Sequence, residues 1–280
     1  MREEVTGGSV RSGDGTAIAW FREPPAGRRS GGPPGPALVL VHGTTADHTT
    51  FRVFGPRIAA TREVATMDRR GRGDSGDGPI YAFDRELEDV AAVAAAVAEL
   101  SGGPVDLFGH SFGGRCALGA AALVPASVRR VVSYEGAFLP VPGADDERLI
   151  ARLAELHARG RWAELLETFL REAVGMTDEE WRTFRGAPVW DRRLAAAPTV
   201  VRELRAGRTP GGSLDRLAGL DQPVLQVVGS ASSPAFLDGA RELDRRLPAG
   251  RLAVIEGARH AAHHTHVDEL AGVVLGFLGD

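Results

Sequence analysis

One serine lies between two glycines in the segment Gly109–Gly113, which reads Gly-His-Ser-Phe-Gly. A short apolar stretch, Val105–Phe108, comes before it and an alanine-rich run, Cys116–Leu123, comes after it. This order predicts a strand, a tight turn and a helix, in which the glycines leave room beside the serine and the strained turn exposes its hydroxyl. The N-terminus of the helix would face a developing oxyanion. The segment therefore predicts that Ser111 is the nucleophile of an acyl transfer.

With 36 glycines in the chain, this pattern alone can arise by chance, and a second segment supports it. An apolar run that begins at Ala37 ends in His42-Gly43, well before the serine. We expect the backbone N–H groups of Thr44 and Phe112 to form an oxyanion hole. The side chains predicted to face a substrate from this loop are those of His42, Thr45 and His48, together with the backbone of Gly43. His42 can equally be a turn residue that packs locally, and we do not predict it as the base.

A histidine near the C-terminus follows the last predicted strand, Arg251–Ile255. His260 lies in the loop before a final apolar helix, Val267–Leu278, where a general base for the serine is expected. Three more histidines follow closely, but no cysteine or carboxylate pattern accompanies them, so capping or surface roles are favoured over a metal site; they are His263, His264 and His266. No metal and no cofactor are predicted.

The acid that would orient His260 has no obvious place after the strand Pro223–Val228, because the next residues, 229–234, contain no carboxylate. The preceding strand, Val128–Tyr134, leads directly into Glu135. A carboxylate at the C-terminal end of a strand can hold the histidine in the required tautomer. We therefore predict Glu135 as the acid.

Alternatives to this assignment stay open at the level of sequence. Glu135 can instead bind backbone amides. Two other carboxylates are weaker candidates for the acid. Asp238 lies in a predicted helix, Pro234–Leu247, and Asp106 lies within the strand before the serine.

Strands and helices alternate along the chain, which predicts an α/β fold, a doubly wound and mainly parallel eight-stranded sheet. The core is predicted at residues 1–137 and 221–280. Residues 138–220 have helical periodicity and predict a helical cap above the sheet edge where ligands bind. Further predicted helices include 51–60, which follows the loop of residues 42–48 (the oxyanion loop), and 192–206 within the cap. The aromatic residues predicted to line the pocket are Phe138, Trp162, Trp181 and Trp190, although aromatic side chains of a cap can instead pack its helices together.

Four segments together resemble the α/β-hydrolase-fold superfamily, in the order in which that superfamily has them. They are His42-Gly43, Met67–Gly76, Gly109–Gly114 and Gly257–His260. The resemblance covers nearly the whole chain and implies a serine nucleophile, a histidine base and an esterase, lactonase or thioesterase type of activity. In this superfamily the acid usually follows strand seven and in some branches strand six, which is where Glu135 lies.

Composition excludes several other classes of function. Basic residues number 33 and acidic residues 37, and the arginines of Asp68–Gly76 alternate with glycine and aspartate without aromatic residues, so a nucleic-acid surface is not expected. No apolar run approaches the length of a membrane span, and no signal-like stretch follows the N-terminus. We expect a cytoplasmic enzyme that hydrolyses an ester, lactone or thioester of a small to medium, fairly hydrophobic molecule. A lyase or cyclase on the same fold, or a ligand-binding protein with slow turnover, are the alternatives, and the oligomeric state stays open.

Overall fold

The computed structural model describes residues 6–23, 35–137, 144–209 and 213–279. In these ranges, strands form one sheet in the order β1-β2-β4-β3-β5-β6-β7-β8. Strands β1 and β2 pair antiparallel, as do β2 and β4, and the other pairs are parallel. The predicted fold class is confirmed. The strands are β1 (Thr6–Arg11), β2 (Ala17–Glu23), β3 (Gly35–Val41), β4 (Arg62–Met67), β5 (Val105–His110), β6 (Val128–Tyr134), β7 (Val224–Gly229) and β8 (Gly250–Ile255).

Helices cover both faces of this sheet. Those of the core are α1 (Gly55–Ile58), α2 (Phe83–Ser101), α3 (Phe112–Leu123), α10 (Pro234–Asp244), α11 (Ala262–Thr265) and α12 (Val267–Leu278). Strand β3 shows why both faces must be covered, because its residues are all apolar after Pro36 and successive side chains point to opposite sides. Leu38 and Leu40 pack with α1 and α12, whereas Val39 and Val41 pack with α2 and α3.

A helical insertion separates β6 from β7. Its helices are α4 (Ala144–Ala158), α5 (Trp162–Thr168), α6 (Asp178–Arg185), α7 (Trp190–Ala196), α8 (Val200–Ala206) and α9 (Leu214–Leu217). The insertion has an apolar cluster of its own, in which Leu153, Leu165 and Val200 are fully buried. None of the helices in the described ranges is both long and apolar enough to cross a bilayer.

Two predicted helices are shorter than expected, and proline explains both. In place of one helix over 51–60, a 3₁₀ turn at His48–Phe51 precedes the single turn of α1, which has Pro56 in its first turn. The predicted helix 192–206 is interrupted by a 3₁₀ turn, Ala197–Thr199, which contains Pro198 and separates α7 from α8. Proline suits the first turn of a helix but removes a hydrogen bond from its interior.

The arginines of the segment after β4 are buried and do not form a basic surface. Arg69 and Arg70 are fully buried, and each forms a two-pronged ion pair with an acid of α2. Glu86 accepts from Arg69 at 2.7 and 3.0 Å and from the Tyr81 hydroxyl at 2.8 Å. Burial opposes the charge of Glu86, but Arg69 and Arg72 hold its pKa below the ordinary value.

A row of histidine rings packs between β5 and the segment after β8. The ring of His110 lies 4.7 Å from that of His260 and 4.3 Å from that of His263, and His264 lies 4.2 Å beyond His263. Burial lowers the pKa of all three neighbours of His260 in this row, and for His264 the value is about 4, with Arg52 and Arg193 adding to the effect. These three histidines are therefore neutral at pH 7.

Glu86→Gln should destabilise the fold by about 3 kcal/mol, because it leaves two buried guanidinium groups with one carboxylate fewer. Denaturant unfolding measures the change. Glu88→Gln is the matched control on the same helix, since its pair with Arg85 is partly exposed, and it should change stability by about 0.5 kcal/mol or less. Equal effects of the two substitutions would contradict the buried-pair assignment.

The melting temperature should fall as the pH is lowered from 6.5 toward 4, because the histidines of the unfolded chain bind protons in this range while the partly buried His264 of the folded protein does not. A group whose folded pKa is depressed stabilises the fold above its unfolded pKa and loses that contribution as the pH falls. His264→Gln should make the profile between these two pH values less steep, and the slope that remains should come from His110 and His263, whose pKa values burial also lowers. A profile of the variant as steep with pH as that of the wild type would show that His264 makes no contribution to it.

Candidate active site

Ser111 lies at the turn between β5 and α3 with a strained backbone, φ 55° and ψ −125°. This positive φ is uncommon for a residue with a side chain. The flanking glycines are required by close packing: a Cβ on Gly109 would overlap the backbone of Gly113, and a Cβ on Gly113 would overlap the carbonyl groups at the end of β3. The Ser111 N–H donates to the Tyr134 carbonyl at 2.8 Å, which fixes the turn to β6.

The loop after β3 lies directly against this turn. A Cβ on Gly43 would come within 3.0 Å of the Ser111 Cβ. Thr44 follows Gly43, and Thr45 has a positive φ of 64°, so the loop bends sharply beside the serine. Phe112 is the first residue of α3, and its N–H has no partner within the helix. The backbone N–H groups of Thr44 and Phe112 thus belong to two segments that meet at Ser111.

His260 and Glu135 form a hydrogen-bonded pair at the same edge of the sheet. The His260 Nδ1 lies 2.5 Å from the Glu135 Oε2, and the carboxylate is fully buried. The other carboxylate oxygen, Oε1, accepts from the Gly229 N–H at 2.9 Å. Glu135 has a positive φ of 51°, which turns the chain at the end of β6. With Nδ1 donating to the carboxylate, Nε2 is the ring nitrogen left for proton transfer.

Both rivals of Glu135 are engaged elsewhere. Asp106 is fully buried on β5 and pairs with Arg62 at 2.8 Å and Arg129 at 2.5 Å. Asp238 is on the outer side of α10, where its side chain is 60% exposed and lies 3.8 Å from Arg241. No hydrogen bond in the described ranges joins either carboxylate to His260. The two uses considered for Glu135, binding a backbone amide and binding the histidine, occur together.

Residues next to Ser111 and Glu135 in sequence fix the loop that carries His260. His110 Nε2 donates to the His260 carbonyl at 2.8 Å. The Tyr134 hydroxyl donates to the Arg259 carbonyl and accepts from the Ala262 N–H at 3.1 Å. Sequence reasoning missed both residues, although their positions immediately before Ser111 and Glu135 were a usable signal.

A buried acid makes one of the contacts between the helical insertion and the oxyanion loop. The Thr44 hydroxyl donates to Glu203 of α8 at 2.8 Å. Glu203 is fully buried and forms ion pairs with Arg69 and Arg72 of the core. No sequence signal marked Glu203, because it meets Thr44 across 159 residues.

The histidines of the oxyanion loop have different surroundings. His42 is fully buried: its Nε2 accepts from the Arg69 N–H at 3.0 Å, and burial together with Arg69 holds its pKa well below the ordinary value. His48 is partly exposed, and its Nδ1 lies 2.9 Å from Asp68 while its ring lies 3.9 Å from that of Phe21. His42 therefore packs locally, the alternative left open by the sequence. A substrate contact of His48, Thr45 or Gly43 stays a prediction.

The tryptophans of the insertion contact one another and its other aromatic residues. Trp181 lies 5.6 Å from Trp190 and 6.1 Å from Phe184, and Trp162 packs edge-on against His157 at 5.1 Å. No ring contact in the described part of the chain joins these tryptophans to His260. Their contact with a substrate stays a prediction, and Phe138 lies outside the described residues.

His263, His264 and His266 do not form a metal site with other residues in the described ranges, where no group of three or more candidate ligands occurs. His263 is buried against Phe51 and His110. His266 contacts the Thr265 hydroxyl at 3.0 Å.

The chain is similar to known esterases and lipases and to solved structures of alpha/beta hydrolases. Over 247 residues the chain is 29% identical to the pimeloyl-[acyl-carrier protein] methyl ester esterase of Neisseria meningitidis serogroup C, covering 86% of this chain and 93% of that protein. It is 30% identical over 275 residues to the sn-1-specific diacylglycerol lipase of Xenopus tropicalis, covering 89% and 79% of the two chains. The structure of an alpha/beta hydrolase from Sphaerobacter thermophilus superposes with a TM-score of 0.78 at 31% identity, over 96% of this chain and 99% of that one.

The sequence model of the Alpha/beta hydrolase family matches residues 38–273, which include every candidate catalytic position described above. The resemblance inferred from the four sequence motifs is therefore confirmed. The chain belongs to the alpha/beta hydrolase family and is a hydrolase.

Proposed function

We propose that this protein is a cofactor-independent serine hydrolase that cleaves a carboxylic ester through an acyl-enzyme. The observation that carries the proposal is the 2.5 Å hydrogen bond between His260 and Glu135. It occurs at the sheet edge where Ser111 is held in its strained turn. In open α/β sheets, ligands bind at the carboxyl ends of the parallel strands.

Acylation begins when the Ser111 hydroxyl attacks the ester carbonyl and its proton passes to His260 Nε2. Glu135 stabilises the imidazolium that forms and holds its orientation. The negative oxygen of the tetrahedral intermediate accepts hydrogen bonds from the Thr44 and Phe112 amides, each worth about 3 kcal/mol at such a site. Collapse expels the alcohol, which takes the proton from His260, and leaves the acyl group on Ser111.

Deacylation repeats these steps with water as the nucleophile. His260 takes a proton from the water, and the hydroxide formed attacks the acyl carbonyl. The second tetrahedral intermediate collapses, Ser111 leaves as the alkoxide and recovers the proton, and the carboxylic acid is released. No step requires a metal or a redox cofactor.

The names of two relatives and the sequence support the proposed substrate class. One relative is named as a methyl ester esterase and another as a diacylglycerol lipase, and both names describe carboxylic ester hydrolysis. We propose a small to medium ester as the substrate, with lactones and thioesters as the chemically related class. The helical insertion would act as a cap that covers Ser111, and the cytoplasm is the proposed location.

A fluorophosphonate probe tests for an activated serine. Intact-mass spectrometry of the wild type should show one adduct per chain, because Ser111 attacks the phosphorus as it would a carbonyl. Ser111→Ala and His260→Ala should show none. Ser101→Ala, which removes a hydroxyl at the end of α2, should label like the wild type.

Label that persists in Ser111→Ala would show that another residue is the nucleophile. A folded wild type that takes no label and hydrolyses no p-nitrophenyl ester would refute the hydrolase mechanism and would favour a lyase, a cyclase or a binding protein on this fold.

A further inference from the structure

Arg193 of α7, in the helical insertion, contacts the core through two hydroxyl groups and not through a carboxylate. Its Nη1 donates to the Thr45 hydroxyl at 3.3 Å and its Nη2 donates to the Thr50 hydroxyl at 3.0 Å. Its guanidinium lies 5.9 Å from the centre of the Phe184 ring. Within the described residues, Arg193 forms no ion pair.

Other arginines around this interface are matched with carboxylates. Arg192, the preceding residue, pairs with Asp47 at 3.0 Å, and Arg202 of α8 pairs with Asp77 at 2.7 Å. Burial lowers the pKa of Arg193 to about 10, against the pull of Asp47. Arg193 is partly buried, and withdrawing a cation from water without an anionic partner is costly, so the lack of a carboxylate partner in the described ranges needs an explanation.

The threonines that Arg193 contacts link it to segments that carry the proposed catalytic residues. Thr45 directly follows Thr44, the proposed oxyanion donor. The Thr50 hydroxyl lies 3.5 Å from His263 Nε2, and the His263 ring lies 4.3 Å from that of His110, which precedes Ser111. Arg193 therefore bridges the oxyanion loop and the histidine row.

Arg193 has no carboxylate partner in the described ranges, whereas the fully buried arginines nearby have one. Arg69 and Arg72 face Glu86 and Glu203. The charge of Asp47 acts on Arg193, but this carboxylate accepts its hydrogen bonds from Thr49 and Arg192. The two threonine hydroxyls hold the guanidinium in place but carry no charge.

We propose that Arg193 is the carboxylate-binding subsite of the active site, so that the preferred substrates are esters that also carry a free carboxylate. This inference rests on the proposed hydrolase function. A guanidinium binds a carboxylate through two parallel hydrogen bonds, and the single positive charge matches a single negative one. The charge would hold the far end of the substrate while its ester group lies at Ser111.

The test compares monomethyl adipate, whose far carboxyl group is a free carboxylate, with dimethyl adipate, whose far carboxyl group is methylated, by release of methanol at pH 7.5. The kcat/KM of the diester is divided by two, because either of its two ester groups can react. The wild type should have the higher kcat/KM for the monoester. Arg193→Gln should reduce the ratio of the two values by about tenfold or more, and Arg193→Lys should keep part of it. Arg192→Gln is the matched control, since Arg192 already has a carboxylate partner, and its ratio should equal that of the wild type.

An equal kcat/KM for both esters in the wild type, or an unchanged ratio in Arg193→Gln, would overturn the subsite while leaving the hydrolase function in place. If neither ester is hydrolysed, the fluorophosphonate label and the p-nitrophenyl ester decide the hydrolase proposal, and binding decides the subsite separately. Adipate should then raise the melting temperature of the wild type and of Arg192→Gln, but not that of Arg193→Gln. No effect of adipate on the wild type would refute the subsite. If Arg193→Gln does not fold, the ratios of Arg193→Lys and of the wild type decide whether the subsite exists.

Discussion

The buried carboxylate of Glu135 is the constraint on which the candidate site depends. An ionised group with no exposure must have its charge compensated, and its two oxygens receive the His260 ring and the Gly229 N–H. These contacts join the ends of β6 and β7 to the loop after β8. Through the Tyr134 carbonyl, the same strand end also holds the backbone of Ser111. The end of β6 thus holds the proposed base through the Glu135 carboxylate and the proposed nucleophile through the Tyr134 carbonyl.

Strain and packing accompany this arrangement. Ser111, Glu135 and Thr45 are the three residues other than glycine with positive φ in the described part of the chain. Ser111 and Glu135 directly follow β5 and β6, and Thr45 lies in the loop after β3. Such conformations persist only where the surroundings over-determine them. Here Gly109 and Gly113 let α3 approach the sheet closely, while His110 and Tyr134 fix the loop of His260. The buried arginines after β4 connect this core to Glu203 and so to the helical insertion.

The sequence predicted the fold and most of this edge because each signal is local. The glycines around Ser111, the run of apolar residues in β3 and the carboxylate at the end of β6 are all readable from neighbouring residues. What it missed depends on contacts between distant segments: Glu203 meets Thr44, and Arg193 meets Thr45, only after the insertion folds over the core. Pro198 indicates a break between α7 and α8, but the helical periodicity on both sides of it favoured one continuous helix.

Orientation of His260 by Glu135, and not by an acid that follows β7, is the central claim, and the activity of Glu135→Gln tests it most directly. We predict that kcat for ester hydrolysis falls by about 10⁴-fold with the protein still folded, while Asp238→Asn keeps the wild-type rate. A rate for Glu135→Gln within about tenfold of the wild type, too small an effect for a triad acid, would contradict the claim. It would leave the orientation of His260 to another group.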